Sequence, residues 1–89
     1  MKEPHKKGPQ DISLEERFGS VLQQLRKEKG VSQEELGLES GYHRTYISLL
    51  ERGKKSPSLK TIFQLAKALH VNPSEFLERI QKKSPMDKT

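Results

Sequence analysis

Thr45, Ser48, Leu49 and Arg52 recur at intervals that place them on one side of a short helix, with Arg44 at its amino-terminal edge. Together they offer guanidinium forks, two hydroxyls and an aliphatic tip. Such groups suit the edges of base pairs: arginine donates two parallel bonds to guanine, hydroxyls serve several acceptors, and an apolar tip meets the thymine methyl. Arg44, Thr45, Ser48 and Leu49 are therefore the candidate base-reading residues, and Arg52 could instead touch phosphate. Lys54 and Lys55 follow at once, where a phosphate strand would pass. An ordinary solvated face with one stray leucine, followed by a soluble loop, has the same composition. This helix by itself leaves both readings open.

Other chemistries find no footing. Glu51 falls on the opposite side of the same helix with Ile47 and Leu50, and a carboxylate buried there demands a partner, since an unpaired buried charge is costly. His5, His43 and His70 are scattered without metal-ligand spacing, and the chain has no cysteine for a disulfide or a thiolate zinc site. There is no Gly-x-Ser-x-Gly, no Ser-x-x-Lys and no glycine-rich phosphate loop. Neither an enzyme, a metal, a cofactor nor a small-molecule ligand is expected. Seventeen basic residues against twelve acidic ones give +5, which favours an anionic partner.

The elements that must carry these residues read as helices throughout, with no period-two run or hairpin dipeptide. Leu14, Phe18, Val21, Leu22 and Leu25 form one apolar stripe, opened by a Ser13–Glu16 capping box and stopped by Gly30. Gly19 weakens this helix and moves its expected start toward Phe18. Ser32 with Glu35 caps a second helix, Val31 staples onto Leu36, and Gly41 ends it. The third spans about residues 44–52 and stops at Gly53. Ser58 caps a fourth, whose stripe is Leu59, Ile62, Phe63, Ala66 and Leu69. Asn72 caps a fifth, with Pro73 in first position, Glu75 closing a capping box and Val71 stapling onto Phe76.

The expectation is an all-α fold of five short helices in residues 12–80, with a helix-turn-helix unit at about 33–52. Residues 1–11 read as a disordered arm and 81–89 as a disordered tail. No apolar run reaches membrane-spanning length and the amino terminus lacks a secretory pattern, so a cytoplasmic protein is expected. On the fifth helix Leu77 and Ile80 point beyond what a small core covers, which marks them as a dimer interface. Folding back onto Ile62, Phe63 and Leu69 is the alternative.

Residues 25–36 (Leu-Arg-Lys-Glu-Lys-Gly-Val-Ser-Gln-Glu-Glu-Leu), then Ile47-Ser48, Glu51-Arg52-Gly53 and Pro57-Ser58-Leu59-Lys60-Thr61-Ile62, resemble the Cro/C1-type (lambda-repressor-like, XRE) helix-turn-helix family. Residues 44–48 with Glu51-Arg52 also resemble the controller proteins of restriction–modification systems. The resemblance implies a compact five-helix domain, usually dimeric, that binds pseudo-palindromic operators in double-stranded DNA and regulates transcription. It further implies that Gln33 meets the DNA backbone and that Arg26 pairs with Glu51; Tyr46, Arg52, Lys54 and Lys55 are the other expected backbone contacts. An antitoxin or bridging protein-interaction module on the same fold is the other reading. Two positions depart from the family pattern: Gly37 stands where alanine is common, which should weaken the second helix. His43 replaces the usual serine or threonine cap and is expected to cap poorly.

Overall fold

Ser13 Oγ accepts the Glu16 amide at 3.0 Å, and the Glu16 carboxylate accepts the Ser13 amide at 3.0 Å, so the chain enters its first helix through a closed capping box. The same reciprocal pair forms between Ser32 and Glu35. The computed structural model describes residues 12–82 and contains five helices there: α1 (Leu14–Glu28), α2 (Gln33–Ser40), α3 (Arg44–Glu51), α4 (Leu59–Ala68) and α5 (Pro73–Lys82). No strand occurs among the described residues. The arm expected at 1–11 lies outside them, as does most of the tail expected at 81–89. Gln81 and Lys82 are instead the last turn of α5, where Lys82 pairs with Glu78 one turn back at 3.4 Å.

α1 lies across α3 and α5, while α2 packs on α3 and α4. Phe18 stacks on Phe76, with centroids 5.2 Å apart and planes 5° from parallel, which locks α1 to α5 at the centre of the core. Arg79 of α5 reaches back to Glu28 at the end of α1 at 3.0 Å and to Glu75 at 3.3 Å. That bond from Arg79 holds the Glu28 carboxyl below its ordinary value. Glu75, expected to close a capping box on Asn72, is turned toward this arginine.

Three expectations are corrected by packing. Gly19 does not delay α1, which begins at Leu14. A Cβ there would lie 2.5 Å from the Glu51 carbonyl oxygen and closer still to that of Leu50, so a bare backbone is what lets α1 rest on the end of α3. The stripe on α4 is rotated: Thr61, Leu65 and Ala66 are buried, whereas Leu59 and Phe63 are exposed. Burying Thr61 is tolerable because its hydroxyl sits among three others, those of Ser58 at 3.0 Å, Tyr42 at 3.1 Å and Tyr46 at 3.4 Å. Finally, Leu77 and Ile80 part company. Ile80 is core at 7% exposure, and Leu77 alone stays open at 47%.

Candidate nucleic-acid interface

The turn between α2 and α3 is set by glycine. Gly41 takes a left-handed φ of +85°, and the amides of Gly41 and Tyr42 both reach the Gly37 carbonyl at 2.8 Å. Gly37 itself faces this turn; a Cβ on it would collide with the Tyr42 carbonyl oxygen, so the space that an alanine needs is already taken. His43 caps α3 after all. Its Nδ1 accepts the Thr45 amide at 3.0 Å from an extended backbone, doing the work of a serine hydroxyl. At the far end Gly53 adopts φ +71°, and the Lys54 amide returns to the Leu49 carbonyl at 2.9 Å. The basic connector therefore leaves α3 in a defined direction.

The inner side of α3 holds its angle against α1. Ile47 and Leu50 are fully buried. Between them and solvent the Glu51 side chain, 2% exposed, accepts Arg26 Nε at 2.6 Å, Arg26 Nη2 at 3.1 Å and Gln33 Nε2 at 3.0 Å. Arg26 spends a further donor on the Val31 carbonyl at 3.0 Å, tying the α1–α2 link into the same cluster. The hydrogen bond to Glu51 holds the Arg26 guanidinium above its ordinary value, against burial that pulls the other way. Bidentate geometry and a third donor are what make a buried carboxylate tolerable here.

The outer side is where the base-reading candidates stand. Arg44, Thr45 and Arg52 are exposed, and Ser48 and Leu49 are half-buried. Arg52 Nε donates to Ser48 Oγ at 3.3 Å, so the two share one turn of the helix face. Lys54 and Lys55 are exposed just beyond. Four of the seven lie on α3, Arg52 is its C-cap, and Lys54 and Lys55 follow on the connector. Gln33 and Tyr46 differ from the rest. The Gln33 amide is engaged by Glu51, and the Tyr46 hydroxyl turns inward toward Thr61, its ring 5.0 Å from that of Tyr42. Both still expose part of themselves. Two participants escaped sequence reasoning. Thr61 anchors the tyrosines from another helix, and Glu34 of α2 stands 4.0 Å from Arg44. Neither leaves a local signal, because each partner is remote in the chain.

No cluster of three or more metal-ligating side chains occurs among the described residues, and no helix there is long and apolar enough to cross a membrane.

A short helix, a glycine turn and a second helix with a cationic, hydroxyl-bearing outer face define a helix-turn-helix DNA-binding protein. A helix-turn-helix family model matches residues 22–76, and the chain belongs to that family of DNA-binding transcriptional regulators, in its Cro/C1-type (XRE) branch. It is 37% identical over 78 residues to an uncharacterized HTH-type transcriptional regulator of Sinorhizobium fredii, covering 88% of this chain and 94% of the relative. The crystal structure of the restriction-modification controller protein C.AhdI from Aeromonas hydrophila is similar at a TM-score of 0.68. Identity to it is 44%, with 70% of this chain and 94% of that one covered. The C.Esp1396I controller, solved as a tetramer in complex with its natural 35 base-pair operator, matches at a TM-score of 0.75 and 33% identity. There the coverage is 81% of this chain and 95% of that one.

Proposed function

We propose that this protein binds a pseudo-palindromic operator as a homodimer, with α3 of each protomer in the major groove. The observation that carries the proposal is the division of α3 into two sides. Ile47, Leu50 and the Glu51 carboxylate are sealed against α1, while Arg44, Thr45 and Arg52 stand in solvent with Ser48 and Leu49 between them. In this reading Arg44 takes a guanine edge, Thr45 and Ser48 meet further acceptors, and Leu49 meets a thymine methyl. Gln33, Tyr46, Arg52, Lys54 and Lys55 hold phosphates, helped by the positive end of the α2 dipole. The chain acts by binding rather than by catalysis, in the cytoplasm where its DNA would lie.

Substitution separates reading from holding. Arg44→Ala is expected to cost about 1–3 kcal/mol on the operator and to relax preference at one base position per half-site. Lys54→Ala should weaken every duplex alike and flatten the dependence of affinity on salt. Titration of labelled duplexes at several salt concentrations measures both. If Arg44→Ala left base preference untouched, Arg44 would belong with the phosphate contacts. Absence of binding to any selected duplex at low salt would favour a protein-interaction module on this fold.

The two-fold contact is assigned to the surface around Leu77. Leu77 and Leu14 are exposed on either side of a shallow apolar hollow that Ile80, Ile62, Phe18 and Pro57 help to line. Ile80 thus supports the contact from beneath instead of meeting the partner with its whole side chain. A second copy across this hollow would repeat α3 about 34 Å away, one turn of DNA. The tetrameric assembly of the C.Esp1396I controller on its operator is consistent with association on DNA. Sedimentation should show a dimer for the wild type and a folded monomer for Leu77→Glu. A wild type that stays monomeric even on its palindrome would rule this contact out.

A further inference from the structure

Glu34 and Arg44 belong to different helices and meet at the edge of the surface assigned to DNA. Glu34 Oε1 lies 4.0 Å from Arg44 Nη1, and the two side chains are 69% and 66% exposed. Ion pairs this open contribute little to stability, so the fold has small use for this one. A carboxylate at this place also has a cost in function, because it opposes any phosphate that approaches the start of α2. Leu38, Tyr42 and His43 line the same shallow, open hollow as the pair.

The geometry of arginine makes such a neighbour useful. A guanidinium has five N–H donors arranged on a plane, and the Nε–Nη2 edge can form a bidentate contact while Nη1 is occupied elsewhere. Arg26 uses that same Nε–Nη2 edge on Glu51 in this protein. Nη1 of Arg44 faces Glu34 across 4.0 Å, longer than a hydrogen bond, and its Nε–Nη2 edge is left free to face a guanine.

We propose that Glu34 is a positioning residue for base recognition: it steadies Arg44 from the Nη1 side and discourages the same guanidinium from settling on phosphate. Glu34 then lowers affinity for every duplex while sharpening the difference between right and wrong sequences, which is what specificity requires. This rests on the assignment of the outer face of α3 to base reading.

The test compares wild type, E34Q, R44A and the E34Q/R44A double variant on three labelled duplexes. These are the selected operator, the operator with the base pair facing Arg44 replaced, and a random sequence. E34Q is expected to bind random duplex about threefold or more tighter, as one opposing charge is removed. Discrimination at the replaced base pair should shrink by about fivefold or more. In the R44A background E34Q should still tighten random binding yet no longer change base discrimination. A thermal melt of E34Q matching the wild type separates positioning from folding. If E34Q shifts all three duplexes by one common factor, Glu34 is a bystander charge and the inference fails while base reading by α3 stands. A wild type that distinguishes none of the three duplexes would overturn base reading itself, and this role with it.

Discussion

Arg26→Ala is expected to lose about 3–5 kcal/mol of folding stability, because it strands a carboxylate that the fold has already taken out of water. Glu51 is 2% exposed and receives two of its three hydrogen bonds from Arg26. With arginine gone, the neutral amide of Gln33 is the remaining donor, and the Val31 carbonyl loses its bond as well. Against a total stability of about 5–15 kcal/mol for a small domain, that loss is a large share, and at the lower end of the range it brings the chain close to its unfolding midpoint. Urea titration followed by helical circular dichroism measures it. The companion variant sharpens the cause: Arg26→Met with Glu51→Leu should recover much of the loss, since an apolar pair of similar volume needs no partner. An Arg26→Ala protein as stable as the wild type would mean that Glu51 is solvated and α1 packs differently on α3.

Gly19→Ala should destabilise the protein, contrary to what helix propensity alone prescribes. Within a helix, alanine is preferred to glycine by about 0.8–1 kcal/mol, so the substitution ought to help α1. The added methyl would instead press on the backbone carbonyls of Leu50 and Glu51, 2.7 Å from the Glu51 carbonyl carbon. Backbone atoms in the last turn of α3 cannot rotate away as a side chain could. Relief requires α1 and α3 to separate, which opens the core at Leu22, Ile47 and Leu50, all without exposed surface. The expected net loss is about 1–3 kcal/mol, the usual range for overpacking. DNA affinity should fall too, although no DNA-facing residue has changed, because α3 loses the support that sets its angle. A melting temperature above that of the wild type would show that the two helices part without penalty.

The five helices were legible because their boundaries are written in short-range signals. A serine followed three residues later by glutamate satisfies two helix-start amides within one turn, wherever the rest of the chain lies, and this held at Ser13 and Ser32. Gly30, Gly41 and Gly53 marked left-handed stops for the same reason, each with φ between +71° and +85°. The division of α3 into an inner and an outer side was legible from periodicity, since Ile47 and Leu50 follow the helical spacing without ambiguity.

Tertiary structure decided whatever depended on a second element. On α4 the apolar residues form two overlapping stripes, and the one that packing selects buries Leu65 and Ala66 and carries Thr61 inward to the hydroxyls of Tyr42 and Tyr46, which arrive from α3 and its turn. Ile80 became core and Leu77 stayed open because the neighbouring helices cover only one of two adjacent apolar positions. Gly19 and Gly37 read as weaknesses in isolated helices, yet each is where another stretch of backbone passes too near for a Cβ. Glu34 and Arg44 meet only because a glycine turn folds one short helix back on the next. Capping and periodicity act within a turn or two of helix, so one strand of sequence carries them. Close approach, burial and charge pairing depend on which surfaces meet, and that is settled only when all five helices pack at once.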